Sequence, residues 1–106
     1  MNQKKCICIT GGASGMGLET GLFFSRKGWL VGLLDRDLSL LNEAALLFDP
    51  DTVFINQVDV TSPENLKHAM NSFGDFSGGR LDIMFNNAGI APGGWFDEMD
   101  LLQMRQ

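Results

Sequence analysis

Thr10-Gly11-Gly12-Ala13-Ser14-Gly15-Met16-Gly17 is the stretch that decides the fold. It follows directly on an apolar run, Cys6 to Thr10, and opens a segment of helical character, Met16 to Lys27. That segment ends at Gly28 with Arg26 and Lys27 in its last turn, a favourable stop. A glycine at a strand exit permits a tight turn, and a missing side chain at a helix start lets backbone N–H groups reach a pyrophosphate. The helix start adds unsatisfied donors and partial positive charge. Gly11, Ser14, Gly15, Met16 and Gly17 are therefore the candidate contacts to a dinucleotide. Two other phosphate or nucleophile loops fail here. Gly12 and Gly17 have Walker A spacing, but Leu18 and Glu19 stand where Lys and Ser/Thr are needed. A nucleophile elbow at Ser14 needs glycine where Met16 sits, so Ser14 reads as a loop residue.

Working outward, short apolar runs alternate with helical segments. Trp29 to Leu34, Thr52 to Asn56 and Leu81 to Asn86 follow the first run, each too continuously apolar for a one-sided surface strand. Between them, Asp37 to Phe48 places Leu38, Leu41, Ala45 and Phe48 on one stripe and stops at Asp49-Pro50-Asp51. The next helix starts with Ser62 as N-cap and Pro63 at its first position. It runs through Leu66, Ala69, Met70 and Phe73 and is expected to dissolve into a loop from Gly74 to Gly79. This alternation predicts one α/β domain over residues 1–106, a Rossmann-type doubly wound parallel sheet of four strands in the order 3-2-1-4. Helices cover both of its faces, and the sheet is expected to be incomplete, with an apolar fourth strand left at an edge.

Asp35 ends the second run, eighteen residues after Gly17, where a carboxylate accepts hydrogen bonds from adenosine ribose hydroxyls. It would repel a 2′-phosphate. Arg36, its neighbour, could favour one, but the glycine loop carries no arginine, and the charge balance favours NAD over NADP. The plainer role for Asp35 is a capping carboxylate before Leu38, and both roles can coexist.

Composition excludes several classes. With 13 acidic against 8 basic residues and a net charge of −5, the chain has no basic stripe for nucleic acid. The apolar run behind Lys4-Lys5 is broken by Gly11-Gly12, too early for a signal peptide, and Trp29 to Leu34 is far short of a membrane span. A cytoplasmic location is the default expectation. Cys6 and Cys8, two apart in a strand, face the same way and read as small buried residues. With one histidine, His68, in the whole chain, a metal site has no ligand set.

Two further stretches join the glycine loop to carry a resemblance. The loop reads Thr-Gly-x-x-x-Gly-x-Gly over Thr10 to Gly17; Asp59-Val60-Thr61 follows the third strand; Asn86-Asn87-Ala88-Gly89 closes the fourth. In that order, with Asp35, they make the chain similar to the short-chain dehydrogenase/reductase family. The resemblance implies that Asp59 and Val60 border the adenine ring and that Asn87, Ala88 and Gly89 lie beside a cofactor ribose. It also implies hydride transfer between a nicotinamide dinucleotide and a small alcohol or carbonyl substrate, and allows a homo-oligomer. Residue by residue, plainer roles stand beside these: Asp59 pre-capping the helix behind Ser62, Asn86 satisfying buried backbone, Gly89 providing a turn.

The departure from the family is as informative. Its members use a Tyr-x-x-x-Lys pair and a serine, and this chain has no tyrosine at all. The expectation is the N-terminal, cofactor-binding part of a longer enzyme, inactive by itself, with Phe96 to Gln106 a helix just beginning. The alternative is a non-catalytic dinucleotide-binding or interaction module that pairs through its fourth strand.

Overall fold

The computed structural model describes residues 4–87. Seven elements follow in strict alternation: β1 (Cys6–Thr10), α1 (Gly15–Arg26), β2 (Leu30–Asp35), α2 (Leu38–Ala45), β3 (Val53–Gln57), α3 (Pro63–Ser77) and β4 (Ile83–Asn86). The strands form one parallel sheet in the order β3-β2-β1-β4, as expected. β1 is central, pairing Ile7 with Val31 on one side and with Ile83 on the other. Its five residues are all buried.

Period-two alternation divides the core between the two faces. Ile7, Ile9, Val31 and Leu33 pack with Leu41, Ala44 and Phe48, and with Leu18, Leu22 and Phe24 of α1. Cys6, Cys8 and Leu34 point the other way, onto Leu66, Ala69 and Phe73 of α3. Two helices on one face and one on the other make the sheet doubly wound. Gly32 is where α3 comes closest: a Cβ there would meet the Phe73 ring at 2.6 Å. Both cysteines are buried free thiols, as their spacing predicts. Burial pushes the Cys6 thiol up to about 11, with the Asp82 charge adding to it, and burial drives Cys8 higher still.

The helices differ in detail from expectation. α2 starts at its Asp37 cap, whose side chain accepts the Leu40 N–H at 3.1 Å, and is α-helical only to Ala45. Leu46, Leu47 and Phe48 then tighten into i→i−3 bonds, which swing Phe48 into the core. α3 corrects the sequence reading: it continues through Gly74 to Ser77 rather than ending at Phe73. Phe76 keeps the helix going by packing its ring against Phe73 and against Phe54 of β3 on the face that α3 covers. Gly78, left-handed at φ +70°, stops it, and Gly79 N–H returns to the Gly74 carbonyl at 2.8 Å.

β2 starts at Leu30, one residue into the apolar run, and ends as expected at Asp35, which faces Gln57 of β3. β4 begins at Ile83, two residues later than expected, although Asp82 stays tied to β1 through its N–H, which donates to the Cys6 carbonyl at 2.9 Å. The Asp82 carboxylate, paired with Arg80 at 2.8 Å, accepts the Cys6 N–H at 2.8 Å in place of a backbone carbonyl. No helix among the described residues is long and apolar enough to cross a membrane.

Candidate functional site

Because the strands are parallel and in register, their C-terminal ends lie along one edge of the sheet, and four marked segments meet there. β1 runs into the glycine loop, β2 into Asp35 and Arg36, β3 towards Asp59 and Val60, and β4 into Asn87. Ala88 and Gly89 lie outside the described residues, as does the helix expected from Phe96.

The loop turns on glycine. Gly11 and Gly15 hold left-handed backbone, φ +65° and +56°, where other residues would be strained. Gly17 is required for a different reason. A Cβ there would collide with the Gly11 carbonyl oxygen and stand 2.8 Å from Asn87 Nδ2. The close approach at Gly17 is therefore of helix against loop. Gly12 makes the strand contact, since a Cβ on it would lie 3.0 Å from the Leu33 side chain.

The first turn of α1 is left open. Ser14 is extended, φ −158° and ψ 171°, yet its side chain makes no capping bond, and no acid stands in the first turn. A Cβ on Gly15 would meet nothing within 4 Å, and Met16 next to it is 70% exposed. Among the described residues this turn thus has neither a capping side chain nor an acid, and the positive end of the helix dipole lies at its start.

Side-chain bonds fix the surrounding edge. The buried Thr10 hydroxyl donates to Asn86 Oδ1 at 2.8 Å, and Asn87 Nδ2 donates to the Gly11 carbonyl at 3.1 Å. The asparagine pair thereby ties β4 to the end of β1 and to the loop; Asn86 does so through a side-chain hydroxyl, and it is Asn87 that bonds a backbone carbonyl. Asp35 is half-buried; its Oδ2 accepts the Ala13 N–H at 3.2 Å and its Oδ1 the Asp37 N–H at 3.1 Å. Gln57 Nε2 donates to the Arg36 carbonyl at 3.0 Å. Thr10, Gly12 and Gln57 are contributors that spacing alone did not single out. The signal for Thr10 was available, as a polar residue closing an otherwise apolar run.

Asp59 is exposed and engaged locally. Its Oδ1 accepts from the Thr61 hydroxyl at 2.6 Å and the Thr61 N–H at 2.9 Å, while Asn65 Oδ1 accepts the Asp59 N–H. The two Thr61 bonds hold its carboxyl below the usual carboxylate range, and the nearby Arg36 charge adds a weaker pull. Val60 follows it, half-buried against the α3-side core.

This arrangement has known relatives. The sequence model of the family described as short chain dehydrogenase matches residues 5–106. The chain belongs to that family. An uncharacterised oxidoreductase of Staphylococcus saprophyticus is 35% identical over 91 residues, covering 85% of this chain and 36% of its own length. The crystal structure of a short chain dehydrogenase from Bacillus anthracis superposes with a TM-score of 0.72 at 30% identity, over 77% of this chain and 34% of that one. The C-domain of a bacterial malonyl-CoA reductase, solved with NADP, gives a TM-score of 0.75 at 31% identity, over 81% of this chain and 15% of that one. The short-chain dehydrogenase chain described here spans about a third of the length of the curated relatives it matches.

Proposed function

We propose that the chain is the cofactor-holding part of an oxidoreductase that transfers a hydride between a nicotinamide dinucleotide and an alcohol or carbonyl substrate. The observation that carries this is the uncapped first turn of α1, bordered by Gly15 with open space before it and by Asp35 at the end of the next strand. These residues fit a dinucleotide. The backbone N–H groups of Gly15, Met16 and Gly17 hold the pyrophosphate, with the Ser14 hydroxyl beside them, and Gly11 provides the turn that lets the phosphates approach. Asp35 accepts the adenosine ribose hydroxyls. Asp59 and Val60 border the adenine, and Asn87, Ala88 and Gly89 lie along the ribose on the nicotinamide side.

The bound nicotinamide supplies the hydride chemistry. The chain's own residues bind and orient it. With no tyrosine among its 106 residues, the proton of an alcohol has no phenolic acceptor here, and the chain alone turns over no alcohol substrate. Measurable NADH production by the purified chain would refute this. The Asp35 carboxylate favours NAD, because a 2′-phosphate placed against it brings like charges together. Arg36 could offset that repulsion, but it also lies close enough to Asp59 to act on its charge.

Isothermal titration with NAD and NADP, on the wild-type chain and on Asp35→Ala, tests the assignment. NAD should bind the wild-type chain more tightly, and Asp35→Ala should weaken NAD and narrow its advantage over NADP. An unchanged ratio would remove Asp35 from ribose recognition.

A further inference from the structure

The Asp35 carboxylate joins two segments that are distant in sequence. Through Oδ2 it accepts the N–H of Ala13 in the glycine loop, and through Oδ1 the N–H of Asp37, the cap of α2. Ala13 is buried, 4% exposed, so an N–H there left without an acceptor is costly. It also lies between Gly11 and Gly15, the two left-handed glycines of a loop with more conformational freedom to lose than most. Each carboxylate oxygen accepts at two lone-pair positions, so holding these amides leaves capacity for hydroxyl donors.

We propose that Asp35 is a positioning residue for the glycine loop as well as a ribose acceptor, its bond to Ala13 latching the loop in the shape that presents the α1 amides. The latch itself stands on the ligand-free geometry; its effect on affinity rests on the dinucleotide assignment above. The consequence is specific. Removing the carboxylate weakens binding at the phosphate end, even for a ligand that has no ribose hydroxyl to offer.

Two measurements test it. In the ligand-free, isotopically labelled chain, amide hydrogen exchange at Ala13 should quicken roughly tenfold in Asp35→Ala, while the Ile7 and Val31 amides stay protected and report an intact sheet. Unchanged exchange at Ala13 overturns the latch, whatever the cofactor does. Should Asp35→Ala fail to fold, Asp35→Ser takes its place; its hydroxyl is one bond too short to replace the carboxylate, and the same outcomes apply. The second measurement titrates NAD and an NAD analogue lacking both adenosine ribose hydroxyls. Asp35→Ala should weaken the analogue by about fivefold relative to wild type, the loss of one hydrogen bond's worth of loop order. Equal affinity of the two proteins for the analogue overturns the latch. Failure of the dinucleotide assignment looks different: neither NAD nor the analogue binds the wild-type chain, and the Ala13 exchange then decides the latch alone.

Discussion

Two helices begin at the same edge of the sheet behind a serine, and they begin differently. Ser62, φ −102° and ψ 111°, accepts the Asn65 N–H at 3.3 Å, with Pro63 and Glu64 completing the first turn of α3. Ser14 precedes α1 in an extended conformation, but its hydroxyl caps nothing, and Gly15 and Met16 stand where α3 has its proline and its acid. α3 satisfies its own exposed donors and complements its dipole from within the chain. α1 leaves both unanswered. A helix start without a cap forgoes roughly 1 kcal/mol of stabilisation, and an anion is the kind of partner that such a start favours.

The largest effect on this contrast should come from Gly17→Ala. Its Cβ would overlap the Gly11 carbonyl and crowd Asn87, so α1 must move away from the loop. A loss of about 2 kcal/mol in a urea titration, typical of overpacking, is expected together with loss of NAD binding. Retained affinity would mean that the loop and the helix start do not act together. Next is Ser62→Ala, which should cost about 1 kcal/mol in the same titration while leaving the NAD dissociation constant unchanged. Ser14→Ala should show the reverse pattern. Its stability should move by only a few tenths of a kcal/mol, as for other surface changes, while NAD binds more weakly. Equal stability losses at the two serines would show that Ser14 caps α1 after all.

The smallest effect concerns charge. Asp59 is held below its ordinary value mainly by the Thr61 hydroxyl. For a depressed carboxylate, the stabilising contribution is present above the unfolded value and is lost as pH falls through the folded one. Thr61→Val should therefore raise the Asp59 titration midpoint towards that of an ordinary aspartate in a carbon-detected NMR titration. No rise would place the cause in the Thr61 N–H bond, which valine keeps, together with the weaker pull of Arg36.

Most of the sheet is legible in the sequence because β1 and β2 are buried on both faces, and continuous apolar runs of five or six residues have few other solutions. The glycine loop is legible for a related reason: its backbone conformation admits almost no other residue. What escapes is held by distant partners. α3 runs past Gly74 because Phe76 finds Phe54 on another strand, a contact that no local window contains. The Asp82 carboxylate takes an N–H from Cys6, seventy-six residues away. The ties from Thr10 to Asn86 and from Asp35 to Ala13 are likewise tertiary. Spacing identified Asp35 and the asparagine pair as polar residues at strand ends, without indicating which backbone groups they hold.

The two thiols on the α3 face of β1 have a practical consequence. Cys8 is fully enclosed, and Cys6, at the mouth of the same strand, has its thiolate suppressed by burial and by Asp82. A soluble alkylating reagent at neutral pH can therefore modify Cys8 only when the central strand parts from α3. The native chain thus carries its own stopwatch. The rate at which Cys8 acquires label counts openings of the innermost strand, and any slowing on addition of a dinucleotide measures how firmly a ligand at one end of β1 closes the other.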